Sequence, residues 1–93
     1  MPTQMPSVKL ENWAVVPSAN PGSYEVLQPG NLLVGRAFGH QRIKPGMFIF
    51  TSRIVRVDSK NRLVETRNTV YSLGEISKEY RTWLGQQPKQ TAA

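Results

Sequence analysis

The residues of this sequence that could do chemistry are mostly cations and hydroxyls, and they are concentrated in its central third. From Arg36 to Arg67 there are eight basic and two acidic residues, a difference equal to the whole formal net charge of +6. Such a concentration attracts an anionic partner by long-range electrostatics. The alternative is a solvated face whose Arg stems cover apolar surface. The sequence leaves both interpretations open.

A glycine-bearing segment at residues 35–46 combines backbone N–H groups with cations. Arg36, His40 and Arg42 lie in it, and this combination of groups is the one that phosphate binding uses. The segment is neither a Walker loop nor a G-x-G-x-x-G turn. A plain hairpin loop is the alternative.

A second polar group lies where the most apolar strand pattern is interrupted, at Thr51-Ser52-Arg53. Its hydroxyls and guanidinium could meet the polar residues near 67–71 on one rim, or they could belong to a β-bulge and bond the local backbone. The predicted ligand-binding residues are Arg36, His40, Arg42, Thr51, Ser52, Arg53, Arg67, Asn68 and Tyr71.

Catalytic and metal chemistry find little support in the composition. The chain has one histidine, His40, and no cysteine, so a disulfide scaffold and a Cys-bearing metal site are excluded. His40 alone could act as a general base, but no convergent set of groups accompanies it. We therefore predict a protein without enzymatic activity, metal or cofactor.

The elements that would position these residues are short strands punctuated by Pro-Gly turns. Alternating and β-branched patterns predict strands at 8–16, 24–27, 32–38, 47–57, 62–66 and 70–73. Apolar residues at helical spacing predict one helix at 77–84, with Ser77 as N-cap and Gly85 as the stop. The predicted fold is mainly β: a small bent sheet or barrel of five to six short antiparallel strands with one C-terminal helix.

Within the 47–57 strand, Phe48 and Phe50 share one face of an apolar run and are expected in the core. Tyr71, and secondarily Tyr24 or Phe38, are then the aromatics that could be exposed for base stacking. Gly35, inside a strand pattern, predicts a bulge, a bend or the close approach of another backbone.

The organisation predicted is a mobile arm at 1–7, one domain at 8–85 and a disordered tail at 86–93. The apolar strands, together with Trp13 and Trp83, supply more apolar surface than we expect a domain of 93 residues to bury alone. We therefore expect a homo-oligomer. No signal-peptide pattern and no membrane-length apolar run are present. A cytoplasmic protein is expected.

Three motifs between Leu32 and Leu84 carry a resemblance: G-R-A-F-G-H-x-R-x-x-x-G, then T-S-R-I, then V-E-T-R-N-T-V-Y-x-L-G. This pattern resembles short accessory proteins of phages and prophages. The resemblance implies a protein that inhibits a host enzyme or defence system, or that sequesters a nucleotide signal, in the host cytoplasm.

Two functional hypotheses follow. The first is a binding protein that holds a phosphate-bearing ligand, a nucleotide or nucleic acid, on a basic β face. The alternative is an inhibitor that presents the same face to an acidic host protein. Salt-dependent ligand binding would separate the first from the second.

Overall fold

The computed structural model describes residues 8–40 and 42–87. They form five strands and a helix: β1 (Val8–Val16), β2 (Leu32–Phe38), β3 (Met47–Asp58), β4 (Leu63–Thr66), β5 (Val70–Leu73) and α1 (Lys78–Gln86). The predicted arm at residues 1–7 and nearly all of the predicted tail lie outside the described residues. The predicted mainly β fold with one C-terminal helix is confirmed.

The sheet is a meander that closes on itself in the order β1-β2-β3-β4-β5. Each successive pair is antiparallel, and β1 completes the ring by pairing parallel to β5, with Val8 opposite Tyr71 and Leu10 opposite Leu73. The parallel pair follows from the strand count, because the first and fifth strands of a meander run in the same direction. Ring closure protects most sheet edges from water and from other chains.

A bulge in β1 lets this strand bend around the barrel. The register shifts between Glu11 and Ala14, and Asn12 has a left-handed φ of 51°, a conformation that Asn tolerates. Gly35 on β2 faces the bulge: a Cβ there would lie 3.0 Å from the Glu11 carbonyl oxygen and 3.1 Å from the Trp13 Cα. The predicted close approach of another backbone at Gly35 is confirmed.

A second bulge lies in β3, where the sequence pattern is interrupted. Leu32 pairs with Arg53 but Val34 pairs with Phe50, so β3 carries one extra residue at 51–52. The Thr51 hydroxyl fills the gap, accepting from the Leu33 N–H at 3.0 Å and donating to the Ser52 carbonyl at 2.7 Å. The hydroxyl replaces the ladder bond that the bulge removes.

The barrel interior is apolar and closely filled. Alternate residues of the strands point inward, and the most completely buried of them are Leu10, Val15, Leu33, Ala37, Ile54 and Val64. Burying such side chains supplies about 1.5–3 kcal/mol each for the larger ones. This core holds β2 and β3 in place beneath their solvent-facing side chains.

Helix α1 begins at the predicted N-cap: the Ser77 hydroxyl accepts from the Tyr80 N–H, and Glu79 lies in the first turn. Tyr80 is fully buried and donates its hydroxyl to the Glu25 carbonyl. Its ring packs within 5.8 Å, between centroids, of the Trp13, Tyr24 and Trp83 rings. The helix is thus fixed to β1 by aromatic packing.

The structure corrects three expectations. Residues 24–27 form no strand. The backbone N–H of Glu25 donates one hydrogen bond to the Val15 carbonyl, without forming a ladder. Pro-Gly pairs on both sides leave this segment too short to pair as a strand. The helix continues past Gly85 to Gln86, since Gly85 adopts ordinary helical geometry. Phe48 and Phe50 are not in the core.

Candidate functional site

The most unusual surface of the barrel is the outer side of β2 and the first half of β3. Phe48 and Phe50 are 52% and 56% exposed, and their rings form an edge-to-face pair with centroids 5.7 Å apart. Residues paired across an antiparallel ladder point to the same side of the sheet. The register therefore places Arg36, opposite Phe48, and Arg53, opposite Leu32, on this same side. We call Arg36, Phe38, Phe48, Phe50 and Arg53 the phenylalanine face.

The burial of Phe48 and Phe50 was predicted wrongly because their strand reads as continuously apolar. A run of four apolar residues at 47–50 is typical of a strand covered on both sides. In the barrel Met47, Ile49 and Thr51 lie on the inner side, opposite or beside the inward-facing residues of β2, whereas the outer side of β3 has no layer above it among the described residues. The sequence did contain one signal for the exposure of this side. On β2, Arg36 and Phe38 alternate with Ala37, and this alternation indicates that Arg36 and Phe38 face solvent.

Cations border the phenylalanine pair at both ends. Arg36 is exposed, lies beside Phe48, and donates from Nη1 to the Gly46 carbonyl at 2.9 Å. This contact anchors the guanidinium over the β2–β3 loop and leaves it other N–H donors. Arg53 lies beyond Phe50, and the exposed Arg67 is next to it, since the Arg67 backbone N–H donates to the Arg53 carbonyl.

An open groove of about 470 Å³ runs along one side of the phenylalanine face. Its floor is the outer surface of Ala14 and Val34, both almost fully buried. Tyr24 and the first turn of α1 form one wall, and Phe48 with Arg36 forms the other. The full lining is Asn12, Ala14, Tyr24, Val34, Arg36, Phe48, Ser77, Lys78 and Glu79. The groove offers an apolar floor with aromatic walls and a polar rim.

His40 and Arg42 lie in the β2–β3 loop, apart from Arg53 and Arg67. The His40 Nδ1 accepts from the Arg42 backbone N–H at 3.0 Å, which orders the loop and uses one ring nitrogen. Arg42 is exposed. The structure therefore places His40 and Arg42 in the loop that precedes Met47, at the other end of the first half of β3 from Arg53.

Three of the predicted ligand-binding residues have a buried side-chain oxygen or a buried side chain. Thr51 is buried and its hydroxyl has both partners described above. The Ser52 Oγ is buried and has no hydrogen-bond partner among the described residues. Tyr71 is 5% exposed inside the barrel, and burial raises the pKa of its phenol. Tyr71 is therefore not the exposed stacking surface that the sequence predicted.

Asn68 lies in the turn between β4 and β5 and is exposed, directly after Arg67. The turn is closed by Thr66, whose hydroxyl donates to the Thr69 carbonyl at 3.1 Å and whose backbone N–H donates to that same oxygen. The predicted polar rim is thus present in part: Arg53, Arg67 and Asn68 lie together, whereas Thr51 and Tyr71 turn away from it.

The described residues contain no cluster of three His, Asp or Glu side chains that could hold a metal ion. No helix in the described part of the chain is long and apolar enough to cross a membrane. Comparison of the chain with protein-family models, curated proteins and solved structures gave no match. The resemblance to phage accessory proteins therefore stays a prediction, and the geometry of the phenylalanine face carries the functional argument.

Proposed function

We propose that this protein is a non-enzymatic binding module that holds a single-stranded nucleic acid across the phenylalanine face. The observation that carries the proposal is the pair of exposed rings, Phe48 and Phe50, placed between Arg36 and Arg53. Proteins that bind single strands without base-pair readout combine aromatic stacking surfaces with a positive path for the phosphates.

The arrangement favours a chain of nucleotides over a single nucleotide. Two rings with centroids 5.7 Å apart offer stacking surface for more than one base, and cations lie beside Phe48 and beyond Phe50. A duplex is a poorer ligand, because its bases are stacked on each other and cannot reach the rings. The neighbouring groove, with Tyr24 and Phe48 as walls, has room for an unstacked base.

The test is fluorescence anisotropy with a labelled single-stranded oligonucleotide, its duplex and a mononucleotide competitor. We expect the single strand to bind most tightly, and Phe48→Ala or Phe50→Ala to weaken binding about tenfold each, as loss of one stacked base does. Val55→Ala is the matched control, since Val55 is 48% exposed on β3 but lies outside the phenylalanine face. Equal affinity of all three variants would contradict the proposal.

A second candidate is a protein partner with an acidic surface, the inhibitor hypothesis. It is favoured by the apolar character of Met47, Phe48 and Phe50, which are all more than half exposed and are the residue types enriched at protein interfaces. It predicts no affinity for any oligonucleotide at low salt. If no oligonucleotide binds, the protein partner would be supported by a host protein that co-purifies with the wild type but not with Phe50→Ala.

A further inference from the structure

Strand β3 has an edge that the barrel does not cover. Its first half pairs with β2, and only 54–58 pairs with β4. Within 8–40 and 42–87, no backbone hydrogen bond from outside β2 reaches residues 48–52. The barrel closes through the second half of β3, so the first half has one edge without a partner strand among the described residues, next to the phenylalanine face.

The open edge lacks the devices by which proteins prevent strands from pairing with other chains. Residues 47–52 read Met-Phe-Ile-Phe-Thr-Ser, with no charge, no proline and no glycine. Edge strands are usually blocked by Lys, Pro or a bulge, and here the bulge comes only at the end, at 51–52. Short uncharged segments rich in aromatic and β-branched residues pair readily with copies of themselves.

We propose that a second copy of this chain pairs antiparallel along the open edge of β3, about a two-fold axis near residues 48–50. An isologous contact requires a self-complementary edge, and a segment without charges brings no like charges opposite each other. With the axis at Ile49, the two Arg53 residues lie about 25 Å apart, from the rise of a strand. That separation exceeds the screening length of about 8 Å at physiological salt.

The pairing would join the two barrels into one sheet. Because the two-fold axis is perpendicular to that sheet, both phenylalanine faces lie on the same side of it. Four exposed phenylalanines then form a continuous surface bordered by Arg36 and Arg53 of each copy. This consequence rests on the proposed function: it predicts that one oligonucleotide spans two chains. The pairing itself does not depend on nucleic acid.

The test uses the absence of cysteine from the chain. Single cysteines are introduced as Phe48→Cys, Ile49→Cys and Phe50→Cys, with Val55→Cys as the exposed control on the half of β3 that already pairs with β4. After mild oxidation, we expect rapid disulfide-linked dimers at the position nearest the axis and slow linking of Val55→Cys, since a disulfide needs Cβ atoms about 4 Å apart.

Sedimentation equilibrium completes the test. We expect the wild type to be a dimer whose melting temperature rises with protein concentration, and Phe50→Lys, which places like charges near the axis, to be a folded monomer whose melting temperature does not depend on concentration. A wild type that stays monomeric at every concentration, or four cysteine variants that form disulfide-linked dimers equally fast, would overturn the proposal. So would a monomer that dimerises only after residues 1–7 are deleted, because the edge would then belong to the chain's own N-terminus. Dimerisation without oligonucleotide binding would retain the pairing and refute the proposed function.

Discussion

At the scale of single residues, the shape of the site depends on one glycine. Gly35 allows the β1 bulge at Asn12 and Trp13 to lie directly against β2, and the atoms that crowd it are mostly backbone. Backbone atoms cannot move aside as the end of a flexible side chain can. The neighbouring Arg36 and Val34, which border and floor the groove, take their positions from this contact.

Gly35→Ala is therefore expected to lower the free energy of unfolding by about 1–3 kcal/mol, the usual cost of overpacking. Gly85→Ala is the matched control: no atom lies within 4 Å of a Cβ added there, and Ala in a helix is better than Gly by about 0.5–1 kcal/mol. Urea denaturation of both variants gives the two changes. Equal effects would show that the close approach at Gly35 is unimportant.

At the scale of elements, helix α1 is held by one buried phenol. Tyr80 lies at the centre of the aromatic cluster and donates to the Glu25 carbonyl. Burial raises the pKa of Tyr80, and the nearby Glu25 carboxylate raises it further. The folded protein therefore keeps this phenol neutral at a pH where the unfolded chain ionises it.

Stability is accordingly expected to fall in alkali. The unfolded tyrosine loses its proton near pH 10 while folded Tyr80 retains it, so above pH 10 the unfolded state binds fewer protons and gains stability. The free energy of unfolding should drop by up to about 1.4 kcal/mol per pH unit for Tyr80, with a further contribution from Tyr71, whose pKa is also raised by burial.

Denaturation followed between pH 8 and pH 12 measures that slope. Tyr80→Phe should be less stable near pH 8, because the Glu25 carbonyl loses its donor at a cost of about 1 kcal/mol, but its stability should fall less steeply above pH 10. The same alkaline slope in wild type and variant would mean that Tyr80 is not the group whose proton is retained.

At the scale of the whole molecule, the dominant property is the uneven distribution of positive charge and the electrostatic field that it creates. The net charge of +6 originates between Arg36 and Arg67, and the fold places part of it around the phenylalanine face and part in the distant β3–β4 turn. One ion pair, Arg56 with Glu65 at 3.1 Å, neutralises a cation of β3 on its second half. Position as well as total charge should then determine binding.

The salt dependence of binding can distinguish cations that contact phosphates from cations that do not. For single strands, the logarithm of the binding constant falls with the logarithm of salt by about 0.7 for each phosphate contact. Arg53→Ala should reduce the slope by about that amount. Lys60→Ala, which removes the same charge from the β3–β4 turn, should leave the slope nearly unchanged. Equal slopes in both variants would show a diffuse field without a defined path.

Much of the architecture could be predicted from local patterns. Strands β1, β2 and β5 have the predicted bounds, because alternation and Pro-Gly turns are local signals. The Ser77 N-cap, the bulge at 51–52 and the role of Gly35 were also predictable, since each depends on a few adjacent residues. The strand predicted at residues 24–27 was wrong because a strand needs a partner strand to pair with, and no local sequence pattern shows whether that partner exists.

The sequence by itself determined the fold class, the excess of cations and the absence of cysteine chemistry, because composition and periodicity depend only on residue types. Only the tertiary structure decided which apolar residues are inside. Closing five strands into a ring directs Tyr71 and Thr51 inward and leaves Phe48 and Phe50 outside. Among the described residues, it also leaves the first half of β3 with only one partner strand. Alternation along a strand defines two faces, but only the packed barrel determines which face meets water.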